Sequence, residues 1–298
     1  MQALLDAIAR ATPGQDAGRI FHGRGGLHPG CEHLSLDWYP PVWLLTSFTP
    51  LDEAALAAVH AALAQRPEPL NWVYQCRQAG PALADTRRMT GAIPEVHTVC
   101  EQGAQYRVHL LKGQNHGLFL DMAAGRQWLR TKATGQRVLN LFAYTCAFSV
   151  AALQGGATEV VNLDMAAGAL AIGQHNHQLN GLSGARFLAH DLFKSWGKVK
   201  RLGPYGVIVA DPPSYQKGSF VATKDYARLV RRLPELLAPG GQALLCLNAP
   251  ELDSGFLGDL VAREAPGLRF VQRLENPPAF ADADPERALK VMLFAAPA

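Results

Sequence analysis

The chain has 298 residues, 48% hydrophobic and 18% charged, against about 25% charged in an average globular domain. This composition excludes a disordered tail, a coiled coil and a highly charged nucleic-acid arm, and leaves room for about two domains. The net charge of +3, from 28 Lys and Arg against 25 Asp and Glu, permits an RNA partner without demanding one.

In chain order, the opening MQALLDAIAR lacks a basic start followed by an apolar core, so no secretory leader is expected. Residues 1–112 read as a small α+β module that either binds substrate or braces the rest. Its turns gather at Gly23, Gly25, Gly26, Pro29 and Gly30, then at Pro40-Pro41, Pro67 and Pro69. Leu34, Leu36 and Trp38 alternate with polar neighbours, which predicts a half-buried strand, and Val42 to Phe48 predicts its partner. Asp52 and Glu53 open a helix through Ala64, with Leu56, Val59 and Leu63 on one face. His22, His28 and His33 lack helical spacing or a cysteine pair, so no metal site is expected.

Residues 113–298 form the second expected domain, and from Arg137 strands alternate with helices. RVLNLF (137–142) predicts a strand, Ala147–Leu153 a helix, EVVNL (159–163) a strand, Ala166–Asn180 a helix and Arg186–Ala189 a strand. YGVIVA (205–210) predicts a fourth strand. Asp225–Leu237 is amphipathic, with Pro239-Gly240-Gly241 as its stop, and Gln242–Leu247 and Leu289–Phe294 close the series. Such alternation implies a doubly wound parallel sheet, an α/β fold whose ligands bind beyond the carboxyl ends of the strands. No run of about 18 apolar residues predicts a membrane span. Five scattered cysteines without a C-x-x-C predict reduced thiols in a cytoplasmic protein.

Polar residues follow four of these strands: Asn140 to Cys146, Asp164, Asp191 and Asp211-Pro212-Pro213. The fold would gather them on one edge. The first loop lets backbone N–H groups approach an anionic group at a helix start. An acid ending the second strand can accept from ribose hydroxyls. An acid ending the third can accept from an exocyclic adenine amine, or cap a helix. Asp followed by two prolines makes a rigid loop with no N–H to donate. Lys194, Lys198, Lys200, Arg201, Arg228, Arg231 and Arg232 read either as solvated charges or as a phosphate track.

The runs VLNLFAYTCAFSVAAL, VVNLDMAAGALAIGQHNHQLNGL and VIVADPPSY resemble Class I S-adenosylmethionine-dependent methyltransferases. More closely, they resemble the bacterial large-subunit ribosomal RNA methyltransferases that make 5-methylcytosine or N7-methylguanine. EQGAQYRVHLLKGQNHGLFLD and RIFHGRGGLHPG extend the resemblance upstream. It implies a Rossmann-like sheet, S-adenosylmethionine as cofactor and RNA of the ribosome as partner, with no metal. It assigns Phe142, Tyr144 and Thr145 to the methionine end of the cofactor, Asp164 to the ribose and Asp191 to the adenine amine, and adds Asn140, Met165 and Leu192 to the cofactor-binding set. Phe119 and Asp121 would close the cofactor pocket. Asp211, Pro212 and Tyr215 would face the methyl group and the target base. The chain departs from the family pattern at Cys146, where glycine is usual, and at Ala123, where arginine is frequent; the RNA-binding module preceding the cytosine members is also expected to be absent.

Carbon-5 of cytosine becomes nucleophilic only after a cysteine adds to carbon-6. In the cytosine members that cysteine follows the fifth strand. Here the position is Asn248, with Cys246 two residues earlier and set back from the mouth. Asparagine matches the guanine-N7 members, so a guanine is the expected target. Other readings are a 5-methylcytosine enzyme, a methyltransferase of small molecules or proteins, and an inactive cofactor-binding module. A nicotinamide dehydrogenase is opposed by the missing G-x-G-x-x-G.

Overall fold

A computed structural model describes residues 1–77, 84–216 and 218–298. The chain divides into two units, Met1–Asp121 with Pro277–Asp284, and Met122–Asn276 with Pro285–Ala298. The expected boundary at residue 112 therefore falls short of the division at Asp121. The return of residues 277–284 to the first unit has no signal in local composition.

In the first unit, α1 (Gln2–Arg10) precedes β1 (Gly18–His22), β2 (Leu34–Tyr39), β3 (Val42–Ser47), α2 (Glu53–Ala64), β4 (Trp72–Arg77) and β5 (Ala84–Thr90). The strands pair in sequence order, antiparallel except for β3 with β4, whose parallel connection is α2. A hairpin of β6 (His97–Glu101) and β7 (Ala104–Val108) follows. Asp52 caps α2 by accepting from the Ala55 N–H at 2.7 Å, as its place ahead of the helix predicts. The expectation that β2 is half-buried is corrected: all six of its residues are buried. On its polar face the Asp37 carboxylate pairs with the Arg19 guanidinium.

The second unit begins with α3 (Ala123–Lys132) and runs β8 (Arg137–Leu141), α4 (Ala147–Gln154), β9 (Glu159–Asp164), α5 (Ala167–Leu179), β10 (Ala185–Ala189), α6 (Trp196–Leu202) and β11 (Tyr205–Ala210). A short hairpin of β12 (Tyr215–Gln216) and β13 (Phe220–Val221) leads to α7 (Ala222–Val230), α8 (Leu233–Leu236), β14 (Leu237–Leu247), α9 (Ser254–Glu264), β15 (Arg269–Leu274) and β16 (Lys290–Ala295). The sheet order is β10-β9-β8-β11-β14-β16-β15. The first five strands are parallel, and β16 runs antiparallel to both neighbours. The doubly wound α/β expectation is borne out.

Alternating strand residues feed two apolar layers. Leu139, Leu141, Val161, Ile208, Ala210 and Leu245 pack with Val199 of α6, Tyr226 and Leu229 of α7 and Leu257 of α9. Val138, Val160, Val209, Leu244 and Cys246 pack with Trp128 and Leu129 of α3 and Phe148 of α4 on the other face. The chain thus leaves β8 on one face and β11 on the other, so the strand order reverses between them. That switch point is where open α/β sheets bind ligands.

Two expectations are corrected. The single helix over Asp225–Leu237 is split into α7 and α8. Pro234 has no N–H for the Val230 carbonyl four residues back, and α7 ends at Val230. Pro239-Gly240-Gly241 is not a helix stop but an irregularity inside β14, where the pairing jumps from Tyr205↔Leu237 to Val207↔Gln242. Gly240 takes φ 69° there, which glycine adopts without strain. No helix among the described residues is long and apolar enough to cross a membrane.

Candidate active site

Strand register sets the rim. Leu141 of β8 is level with Leu163 of β9 and Ala210 of β11, and Ala189 of β10 is level with Asp164. The residues that follow each strand end therefore emerge on one edge. Asp164, Asp191 and Asp211 all belong to this edge, with Asp211 beside the switch point. Its backbone N–H reaches the Leu141 carbonyl at 3.5 Å.

Asp164 is fixed by two backbone donors. One oxygen accepts from the Tyr144 N–H and the other from the Ala166 N–H, each at 2.8 Å. An ionised carboxylate has about four acceptor sites, so this leaves two for a ligand. The loop that supplies Tyr144 is strained. Phe142, Tyr144 and Cys146 take φ of 57°, 46° and 61°, left-handed values that side chains disfavour by about 1–3 kcal/mol each. The strain is held by the Asp164 bond, by Ala143 N–H on the Leu163 carbonyl and by Cys146 N–H on the Ala143 carbonyl. The Phe142 ring also meets Phe220 at 5.1 Å.

Cys146 is fully buried, and its side chain occupies the space beside Gly173 of α5. Burial, and then the charge of Asp164, push its thiol well above the usual range, so it stays protonated. Thr145 is buried, and its carbonyl accepts from Asn176 at 3.0 Å. Met165 is 50% exposed beside Asp164, whereas Leu192 is buried beside Asp191.

The side chain of Asn140 does not reach the rim. It is buried and donates to Asn162 at 2.9 Å, Asn162 donates to Ser149 at 3.0 Å, and Ser149 meets His177 at 2.8 Å. The other His177 nitrogen is 2.7 Å from the Gly173 carbonyl. This polar chain ties β8 and β9 to α4 and α5 under the strained loop. Sequence reasoning missed it, although the repeated V-x-N-L of the two strands was the available signal.

Asp191 caps the turn that follows it, accepting from Phe193 N–H at 2.9 Å, with Lys194 Nζ at 3.6 Å from its other oxygen. Past Asp211, the Ser214 hydroxyl donates to the Asn248 carbonyl, joining the Asp-Pro-Pro loop to the end of β14. Asn248 itself is exposed. Tyr215 is 72% exposed on a hairpin anchored by the buried Phe220. Ser214 was not anticipated, since its partner lies 34 residues on. Cys246 is fully buried in the apolar layer, and the Tyr226 hydroxyl donates to its carbonyl.

Phe119 and Asp121 belong to the first unit. Phe119 is exposed, and Asp121 lends negative charge to Arg19 and Arg24. Most of the candidate phosphate-tracking cations are paired: Lys194 with Asp191, Lys200 and Arg232 with Glu235, Arg228 with Asp225 and Arg231 with Glu264. Arg228 also stacks over Phe193 at 3.9 Å. Among the described residues no His, Cys, Asp or Glu group is arranged to hold a metal.

A family model for S-adenosylmethionine-dependent methyltransferases matches residues 18–295. A ribosomal RNA large subunit methyltransferase I of Aeromonas hydrophila is 38% identical over 183 residues, 59% of this chain and 46% of that protein. A ribosomal RNA large subunit methyltransferase K/L of Psychrobacter sp. is 36% identical over 174 residues, 55% of this chain and 21% of that protein. The chain spans less than half the length of either relative. A solved structure of a proposed methyltransferase complexed with SAH superposes with a TM-score of 0.85 at 26% identity, covering 99% of this chain and 79% of that one.

Proposed function

The chain belongs to the S-adenosylmethionine-dependent methyltransferases, and on that premise we propose that it transfers the methyl group of S-adenosylmethionine to a guanine of structured ribosomal RNA. The observation that carries this reading is the strand register: Asp164 ends β9 level with Ala189 of β10 and one residue past the level of Ala210 of β11, so Asp164, Asp191 and Asp211 emerge on one sheet edge beside the switch point.

The donor set fits the cofactor. The two open acceptor sites of Asp164 suit a ribose diol, Asp191 suits an adenine amine, and a rim of carboxylates suits a molecule carrying a sulfonium and an ammonium. When bound, S-adenosylmethionine supplies an electrophilic methyl group. The protein's contribution is then mainly position. The loop from Phe142 to Thr145 would hold the methionine end, and Met165 would lie along the ribose. Pro212 and Pro213 fix the backbone after Asp211 and leave carbonyl oxygens as acceptors. Tyr215, projecting from its anchored hairpin, would stack on the target base. Asn248 would hydrogen-bond the edge of a guanine, whose N7 lone pair needs no deprotonation.

Two further observations support this reading. Cys246 is buried in the apolar layer, which disfavours a covalent adduct at cytosine carbon-6. Charge is divided unevenly: the second unit has 19 Lys and Arg against 12 Asp and Glu, a net +7, while the first has 9 against 13, a net −4. A polyanionic substrate is drawn to the former, and we assign a bracing role to the first unit.

The test uses ribosomal RNA from a strain lacking the gene, incubated with purified protein and methyl-labelled cofactor and digested to nucleosides. Labelled 7-methylguanosine is expected, and 2-methylguanosine would keep guanine as target while moving the acceptor atom. Labelled 5-methylcytidine would overturn the use made of Asn248, and label confined to protein or small molecules would overturn RNA as substrate.

A further inference from the structure

Lys290 is the first residue of β16, paired with Leu247 at the end of β14, and it is fully buried. Its ammonium donates to the Ala249 carbonyl and to the Glu286 carbonyl, each at 2.8 Å. The residue preceding Ala249 is Asn248, whose own carbonyl accepts from Ser214. Further along, the Glu286 carboxylate accepts from the Ser254 N–H at 2.6 Å, at the start of α9. The loop 248–253 is therefore fixed at its start by two side chains from different elements, and at its end by a third.

Taking an ammonium out of water is costly, and an apolar residue of similar length would suit this strand position better on stability alone. Burial, and then the charge of Arg273, pull Lys290 below the ordinary lysine range. What the lysine provides is a charged donor on two carbonyls that β-sheet pairing does not reach. We infer that Lys290 is a positioning residue for Asn248, its buried ammonium holding the carbonyls of Ala249 and Glu286 so that the loop after β14 presents Asn248 to the base in one place. The inference rests on the reading of Asn248 as a base-contacting residue. It assigns no contact with substrate to Lys290 itself.

The test is a double-mutant cycle with ribosomal RNA as methyl acceptor. Lys290→Met keeps the length and removes the donor. It is expected to lower turnover about tenfold or more while SAH affinity stays within twofold. In an Asn248→Ala background the same change is expected to add less than twofold, because its effect passes through Asn248. Lys290→Gln, which keeps a donor without the charge, is expected to recover part of the loss and serves if Lys290→Met does not fold. Full turnover of Lys290→Met, or an equal further loss in the Asn248→Ala background, would overturn the inference. Wild-type turnover of Asn248→Ala alone would overturn the reading of Asn248, a distinguishable failure.

Discussion

At Cys146 a side chain sits where the backbone is left-handed, and the neighbouring helix gives way to it. A Cβ built on Gly173 would lie 2.5 Å from the Cys146 sulfur and 3.0 Å from its Cβ. Gly173→Ala is therefore expected to destabilise the protein by about 1–3 kcal/mol in urea unfolding, as overpacking does. Cys146→Gly in the same chain should recover most of that loss, and additive effects would show that the two positions do not share one space. Asp164→Ala removes a fixed acceptor and is expected to weaken cofactor binding by about 1.5–3 kcal/mol in a calorimetric titration. Unchanged affinity would remove Asp164 from the site. The placement of the three aspartates on one sheet edge was legible because Asp164 and Asp211 directly follow the strand residues Leu163 and Ala210, and Asp191 follows the run that ends at Ala189 with one residue between. Ser214 and Lys290 were not, because their partners lie 34 and 41 residues away and only the fold brings them near.

The strands of the second unit could be read from apolar runs because a parallel sheet is covered on both faces. Its helix breaks were harder. Pro234 ends α7 four residues before itself, at Val230, although the apolar spacing runs on past it. The edge strand β15 carries mostly exposed residues, so no apolar run announces it. Between these elements, the chain Asn140–Asn162–Ser149–His177 couples β8, β9, α4 and α5. Asn162→Leu strips Ser149 and Asn140 of a partner at once, and a loss of about 1–3 kcal/mol is expected from the buried groups left unpaired. Asn140→Leu added to it should cost less than it does alone, which chemical denaturation of the four proteins would measure. Strict additivity would mean that the chain does not act as a unit.

At the scale of the molecule, the units differ in their response to acid. In the first unit burial, followed for His22 by nearby arginines, lowers His22 to about 4; burial also takes His116 to about 4 and lowers His97 and His109. In the second, among described residues, His177 alone is lowered in this way. Each such histidine favours the neutral form when folded, so the unfolded chain binds more protons below the ordinary value near 6.5. Their contribution is complete above pH 6.5 and is lost as pH falls toward 4. Hydrogen exchange at pH 5 is expected to open amides of the first unit before those of the second, and the reverse order would contradict this assignment. The change from turn-rich to alternating sequence suggests two domains, but the division at Asp121 and the return of residues 277–284 were not legible, because those residues lie between two strands of the second unit yet bring Phe280 under Arg19 and beside His22 of the first. The polypeptide thus passes from one unit to the other three times. A single protease cut after Asp121 would leave the halves still tethered, and exchanging the first unit between relatives would require transplanting two separate stretches of gene.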